Sequence, residues 1–118
     1  MDSRHKKGQL AERRACQFLE SHGLACLERN YRLRIGEIDL VMQEPASGTI
    51  VFVEVRYRQR RNHCSALESI DHRKQAKLRR TARAWLQQHA DDRTSARIDV
   101  VVFDGDDAPQ WIINAIED

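Results

Sequence analysis

Residues 36–58 read GEIDLVMQEPASGTIVFVEVRYR. Two runs rich in Val, Ile, Leu and Phe flank EPASGT, whose Pro, Ser and Gly mark a turn. Strands joined by so short a connection pair antiparallel. With the turn centred between Ala46 and Ser47, Met42 falls opposite Val51, Leu40 opposite Val53 and Ile38 opposite Val55. That face is wholly apolar. On the other face Val41 falls opposite Phe52, Asp39 opposite Glu54 and Glu37 opposite Arg56. It is apolar near the turn and charged at its far end. A slip of one residue would scramble this sorting, whereas a slip of two would preserve it.

The elements around the hairpin follow from periodicity. Residues 8–22 read as a helix closed by Gly23, with Ala11, Ala15, Phe18 and Leu19 as its apolar stripe and Cys16 at the edge. Residues 24–33 read as a strand. After the hairpin, RQRRNHCSALE at 58–68 reads as a loop. Asp71 is placed to cap a helix running to about Ala90, with Leu78, Ala82, Trp85 and Leu86 facing inward. RIDVVVFDG at 97–105 is a strand whose unbroken apolar run predicts burial on both faces. QWIINAIE at 110–117 is a short last strand. The order is α-β-β-β-α-β-β. The helix between the third and fourth strands makes them parallel neighbours or near neighbours in a mixed sheet. The expected fold is therefore a layered α/β domain, one domain spanning all 118 residues.

Charge is unevenly spread. The net charge is +2, yet residues 55–90 carry ten basic and two acidic side chains, and residues 91–118 carry two basic and eight acidic. A block so basic suits a polyanion, for which nucleic acid is the default. The bland alternative is a solvated helix face balanced by the acidic C-terminal segment. No apolar run approaches the ~20 residues of a membrane span. The N-terminal stretch MDSRHKKGQLAERRA lacks the apolar core of a secretory signal. Cys16, Cys26 and Cys64 are odd in number and match no zinc spacing. These features point to a cytoplasmic protein with reduced thiols and no membrane partner. His63 and Cys64 are adjacent rather than spaced for zinc, and with His72 are read as loop and helix start. GxSxG, P-loop and GxGxxG motifs are absent from the sequence.

The charged end of the hairpin carries the chemistry. Carboxylates directly opposed across a sheet sit about 5 Å apart at Cβ and repel. A divalent cation between Asp39 and Glu54 would reverse that sign, since Mg²⁺ takes one or two carboxylates plus waters and phosphate oxygens. The alternative is an ion-pair cluster, Glu37 with Arg56 and Glu54 with a nearby Arg. Glu12 lies at helical spacing with Cys16 and Leu19 along one edge of the apolar stripe. It either reaches over the sheet toward Asp39 or pairs in solvent with Lys7, Arg13 or Arg14.

Gly8 and Glu12, NYR at 30–32, GEIDLV at 36–41, FVEVRYR at 52–58, Lys74 and RIDVVVF at 97–103 resemble the YraN-like family, bacterial proteins with endonuclease-like character. The resemblance runs from about residue 8 to residue 116. That family is similar to the Holliday-junction resolvases and the restriction-endonuclease-like superfamily with its PD-(D/E)xK motif. It implies a central mixed β-sheet flanked by helices. It also implies Asp39 and Glu54 as ligands of Mg²⁺ or Mn²⁺, Glu12 as the first-helix acid, and Arg56 at the place of the motif's Lys. Arg is always charged and makes a poor base, but it donates well to phosphate. Lys74 is a possible source of an amine, although nothing in the sequence places it near Glu54.

Three functions follow as expectations. The first is a metal-dependent endonuclease acting on branched or structured DNA, with Glu12, Asp39, Glu54 and Arg56 at the centre. Arg58, Arg60, Arg61, Lys74 and Lys77 would then track the backbone. The second is a catalytically silent nucleic-acid-binding module. The third is a protein-interaction domain docking an acidic partner through its basic helix. The resolvase resemblance makes a homodimer possible.

Overall fold

The alternation in residues 36–58 becomes the centre of the sheet. In the computed structural model, which describes residues 3–58, 70–91, 93–105 and 108–117, the elements run α1 (Ser3–Ser21), β1 (Ala25–Leu33), β2 (Gly36–Gln43), β3 (Ile50–Arg58), α2 (His72–His89), β4 (Ala96–Asp104) and β5 (Gln110–Ile112). The order is the expected α-β-β-β-α-β-β. The strands form one five-stranded mixed sheet in the order β1-β2-β3-β4-β5. The hairpin takes the expected register, with Leu40 opposite Val53, Val41 opposite Phe52 and Met42 opposite Val51. β3 and β4 are parallel neighbours from Ile50–Ala96 to Arg58–Asp104.

Each helix covers one face. Ala11, Ala15, Cys16 and Leu19 of α1 pack on Leu40, Met42, Val51, Val53, Val101 and Phe103. Leu78, Ala82 and Trp85 of α2 pack on Tyr31, Ile38, Val41, Phe52, Ile98, Val100 and Val102. β4 is buried from Ile98 to Phe103, so its continuous apolar run is spent on both layers. Each fully buried Val, Leu or Phe contributes about 1.5–3 kcal/mol by leaving water.

Local chemistry sets the ends. Gly23, at φ +93°, closes α1, as expected. Its N–H donates to the Glu20 carbonyl at 3.0 Å and the Leu24 N–H to the Leu19 carbonyl at 3.1 Å, the paired bonds of a Schellman closure. α1 begins five residues earlier than its apolar stripe indicates. The last strand is shorter than expected, ending at Ile112. The Asn114 N–H donates to Asp99 Oδ1 at 2.8 Å instead of extending the ladder, and Asn114 turns the chain at φ +54°. The loop expected at 58–68 lies, from residue 59 on, outside the described residues. So do His63, Cys64, Arg60 and Arg61.

Gly36 opens β2 where α2 crosses it. A Cβ there would stand 2.8 Å from the Thr81 hydroxyl oxygen and 3.4 Å from the Lys77 Cβ. Thr81 is buried, and its hydroxyl donates to the Lys77 carbonyl at 2.8 Å, so it cannot swing aside freely. Gly36→Ala is therefore expected to lower the unfolding free energy by about 1–3 kcal/mol in urea titration. Gly8→Ala, with nothing within 4 Å of its added Cβ, should be neutral or stabilise by up to about 1 kcal/mol.

Candidate active site

The β2–β3 ladder ends at Leu40–Val53, so Asp39 and Glu54 are not the directly opposed pair that the hairpin arithmetic predicts. Beyond that point the Val55 N–H donates to Asp39 Oδ2 at 2.8 Å, a side chain standing where a strand carbonyl would be. The interruption also breaks the alternation. Ile38 packs under α2 with Val41, while Leu40, two residues on, packs under α1. Asp39 thus stands in the gap between two strands rather than on one face. Its carboxyl and that of Glu54 stand close enough to perturb one another's ionisation.

Glu54 is 4% exposed and turns to the α2 side. Lys74 Nζ lies 3.6 Å from Glu54 Oε2, and Arg56 Nε lies 3.8 Å from the same oxygen. Lys74 arrives there because of how α2 starts and sits. Asp71 caps the helix as expected, accepting from the Lys74 N–H at 2.8 Å, which puts Lys74 in the first turn. The bare backbone of Gly36 then lets the following turns, at Lys77 and Thr81, lie close over β2.

Glu12 comes from the other layer. It is half-buried on α1, and both the Asn30 side chain and the charge of Asp39 act on its carboxyl. Its pKa is raised, first by burial and then by Asp39. Asn30 is the contributor that sequence reasoning overlooked. It sits within β1 at φ +53°, a conformation Asn tolerates better than most residues, and its presence in NYR was the available signal. Asp39 and Glu54 thus come together between β2 and β3, with Glu12 acting from α1; among the described residues no three such side chains form one metal-holding group.

Other expected members lie further out. Glu37 pairs with Arg32 at 3.2 Å, directly across β1 and β2, and not with Arg56. Lys77 is exposed one turn beyond Lys74. The backbone of Arg58 ends β3 opposite Asp104. Cys16 is buried and Cys26 half-buried, both as free thiols, and burial pushes the Cys16 thiol up to about 11.

Burial pushes the Glu54 carboxyl up to about 8 from its ordinary 4.5, with the charge of Asp39 as the next cause. Asp39 is raised too, mainly by burial, against the opposing hydrogen bond from Val55. A buried and a half-buried carboxyl sharing one gap favour a proton or a cation between them. The oxygen-only donor set fits a hard divalent ion such as Mg²⁺ or Mn²⁺, with Asp39 and Glu54 as its protein ligands.

The proton carries a stability consequence. Between pH 4.5 and about 8 the metal-free folded state holds a proton on Glu54 that the unfolded chain has released. The stability this contributes is complete below pH 4.5 and is lost as pH rises through about 8. In thermal melts with EDTA, the melting temperature should fall across that window, and Glu54→Gln should flatten the fall. Mg²⁺ or Mn²⁺ should raise the melting temperature by several degrees at pH 8 and by much less at pH 5, where the proton competes. An equal metal response at both pH values would speak against a shared carboxyl site.

The family described as "Uncharacterised protein family UPF0102" matches residues 11–103, a span containing Glu12, Asn30, Asp39, Glu54, Arg56 and Lys74. This chain belongs to that family. It is 47% identical over 109 residues to a UPF0102 protein of Alkalilimnicola ehrlichii, covering 92% of this chain and 84% of the relative. It is 41% identical over 115 residues to a UPF0102 protein of Actinobacillus pleuropneumoniae, covering 95% and 92%. It is 38% identical over 117 residues to a UPF0102 protein of Photobacterium profundum, covering 97% and 92%. The expected YraN-like membership therefore holds. Among the described residues of this UPF0102 chain, no helix is long and apolar enough to cross a membrane.

Proposed function

We propose that this UPF0102 chain is a metal-dependent phosphodiesterase of restriction-endonuclease-like fold that cuts nucleic acid, with structured or branched DNA as its substrate. The observation that carries the reading is the ammonium of Lys74, 3.6 Å from Glu54 at a buried pair of carboxyls. In the superfamily that the sequence resembles, a Lys near the second acid is part of the chemistry, and here Arg56 stands at that position. Lys74 brings an amine to the same carboxylate from the neighbouring helix, which supports turnover.

Asp39 and Glu54 would hold Mg²⁺ or Mn²⁺, which when bound polarises a phosphodiester and acidifies a water. The chain's own residues do the rest. Lys74, about one-third exposed, is placed to donate to a phosphoryl oxygen entering from solvent. Arg56 adds a second fixed positive charge at the same carboxylate. Glu12 retains its proton more readily than an ordinary carboxylate and is oriented by Asn30, so it can hand a proton to, or take one from, a water in the gap.

The test is cleavage of four-way junctions, flaps and single strands by highly purified protein with Mg²⁺ or Mn²⁺. Metal-dependent products that vanish in Asp39→Asn and Glu54→Gln support the reading. Binding without any cleavage would favour a silent nucleic-acid-binding module, and no binding at low salt would favour a protein-interaction domain.

A further inference from the structure

Beside the carboxylate gap lies a cleft of about 310 Å³ between the β1–β2 end of the sheet and the first two turns of α2. Arg32, Leu33, Gly36 and Glu37 line it from the strands, and Lys74, Lys77 and Leu78 from the helix. Its volume falls at the lower end of small-molecule sites, which run ~300–1,000 Å³. Lys74 belongs to both spaces, since it lines the cleft and meets Glu54.

The lining has two characters. Lys74, Lys77 and Arg32 are cationic, and the single acid, Glu37, is already met by Arg32 at 3.2 Å. The cleft is therefore net positive and suits a phosphate. Leu33, half-buried, with Gly36 contributing no side chain and the buried Leu78 closing the floor, leaves apolar surface that a phosphate has no use for. A paired duplex presents only its phosphates and sugars to such a wall and would leave that surface uncovered. A nucleotide turned out of the stack brings both a phosphate and an apolar base face. Unstacking a paired base costs a few kcal/mol, and least where the base is already unpaired.

We propose that this cleft receives one unpaired nucleotide of the strand held at the carboxylate site, its base against Leu33 over Gly36 and its phosphate between Lys74 and Lys77. The assignment rests on the phosphodiesterase reading above and narrows its substrate to DNA with an unpaired nucleotide beside the cut.

Fluorescence anisotropy in Ca²⁺ tests it without cleavage, using three DNAs of one sequence. One is a paired duplex, one a duplex with a single-nucleotide bulge, and one the same bulge with its base removed. The bulged duplex is expected to bind at least tenfold tighter than the paired one, and removal of the base should erase most of that gain. Lys77→Glu should weaken both duplexes through its charge, and the bulged duplex about tenfold more than the paired one. Equal affinity for paired and bulged DNA, or full affinity for the baseless bulge, overturns the assignment. So does a bulge preference untouched by Lys77→Glu. If none of the three DNAs binds, the phosphodiesterase reading falls as well. If all bind alike and are cut once Mg²⁺ is supplied, only the cleft assignment falls.

Discussion

Under single-turnover conditions with Mg²⁺, Asp39→Asn and Glu54→Gln are each expected to slow cleavage by about 10³-fold or more. Each removes the negative charge of one of the two carboxylates proposed to hold the cation, and a loss of several kcal/mol in transition-state stabilisation is about three decades in rate. Lys74→Ala should cost about 10²–10³-fold, the usual toll for deleting a preorganised donor to developing charge. Lys74→Arg should recover part of that, because charge survives while the compact ammonium does not. Arg56→Lys should change the rate only a few-fold, since Lys74 already brings an amine to Glu54. The reverse ranking, with Lys74→Ala harmless and Arg56→Ala inactive, would move the role to Arg56.

A second readout separates holding the ion from acting on the phosphate. Metal-induced thermal stabilisation at pH 8 should disappear in Asp39→Asn and Glu54→Gln and persist in Lys74→Ala. Without metal, Glu54→Gln should melt above the wild type at pH 8, because it removes a buried carboxyl whose ionisation there destabilises the fold. A site that weakens its own metal-free fold is a common consequence of gathering like charges for function.

The largest effect on stability is expected away from this site. Asp99, fully buried on β4, accepts from Arg97 Nε at 3.0 Å, Trp111 Nε1 at 2.9 Å and the Asn114 N–H at 2.8 Å. Arg97 in turn reaches Glu44 at 3.2 Å, beside the hairpin turn. One carboxylate therefore ties β5 and the chain after it to the sheet. Asp99→Ala leaves a partly buried guanidinium and two donors without that acceptor and should cost about 3–5 kcal/mol. Asp99→Asn keeps the shape and loses the charge, for about 1–3 kcal/mol. Urea titration measures both. Against a typical total of about 5–15 kcal/mol, the alanine variant should be partly unfolded at 37 °C. The sequence reading of RIDVVVF rests on its apolar run alone and does not include the burial of this acid.

The hairpin register was legible because its evidence is local. Apolar and charged residues sort to separate faces in only one parity, and Leu40–Val53, Val41–Phe52 and Met42–Val51 pair accordingly. The same arithmetic failed beyond Leu40. It assumes that backbone pairs with backbone to the end of the strand, and the Asp39 side chain takes the Val55 N–H instead. Ile38 consequently changes sides, and Glu37 finds Arg32 rather than Arg56. The two acids do meet, and Glu54 also has cations beside it.

By itself, the sequence determined the element order, the two-faced sheet and the choice of Asp39 and Glu54 as the acids to watch. Those follow from periodicity, caps and turn chemistry, which act within a few residues. Which cation completes the site was decided only in three dimensions. Lys74 lies twenty positions beyond Glu54, and it reaches that carboxylate because Asp71 starts the helix and Gly36 lets it lie close. That proximity belongs to the packing of a helix on a sheet, and no spacing along the chain encodes it.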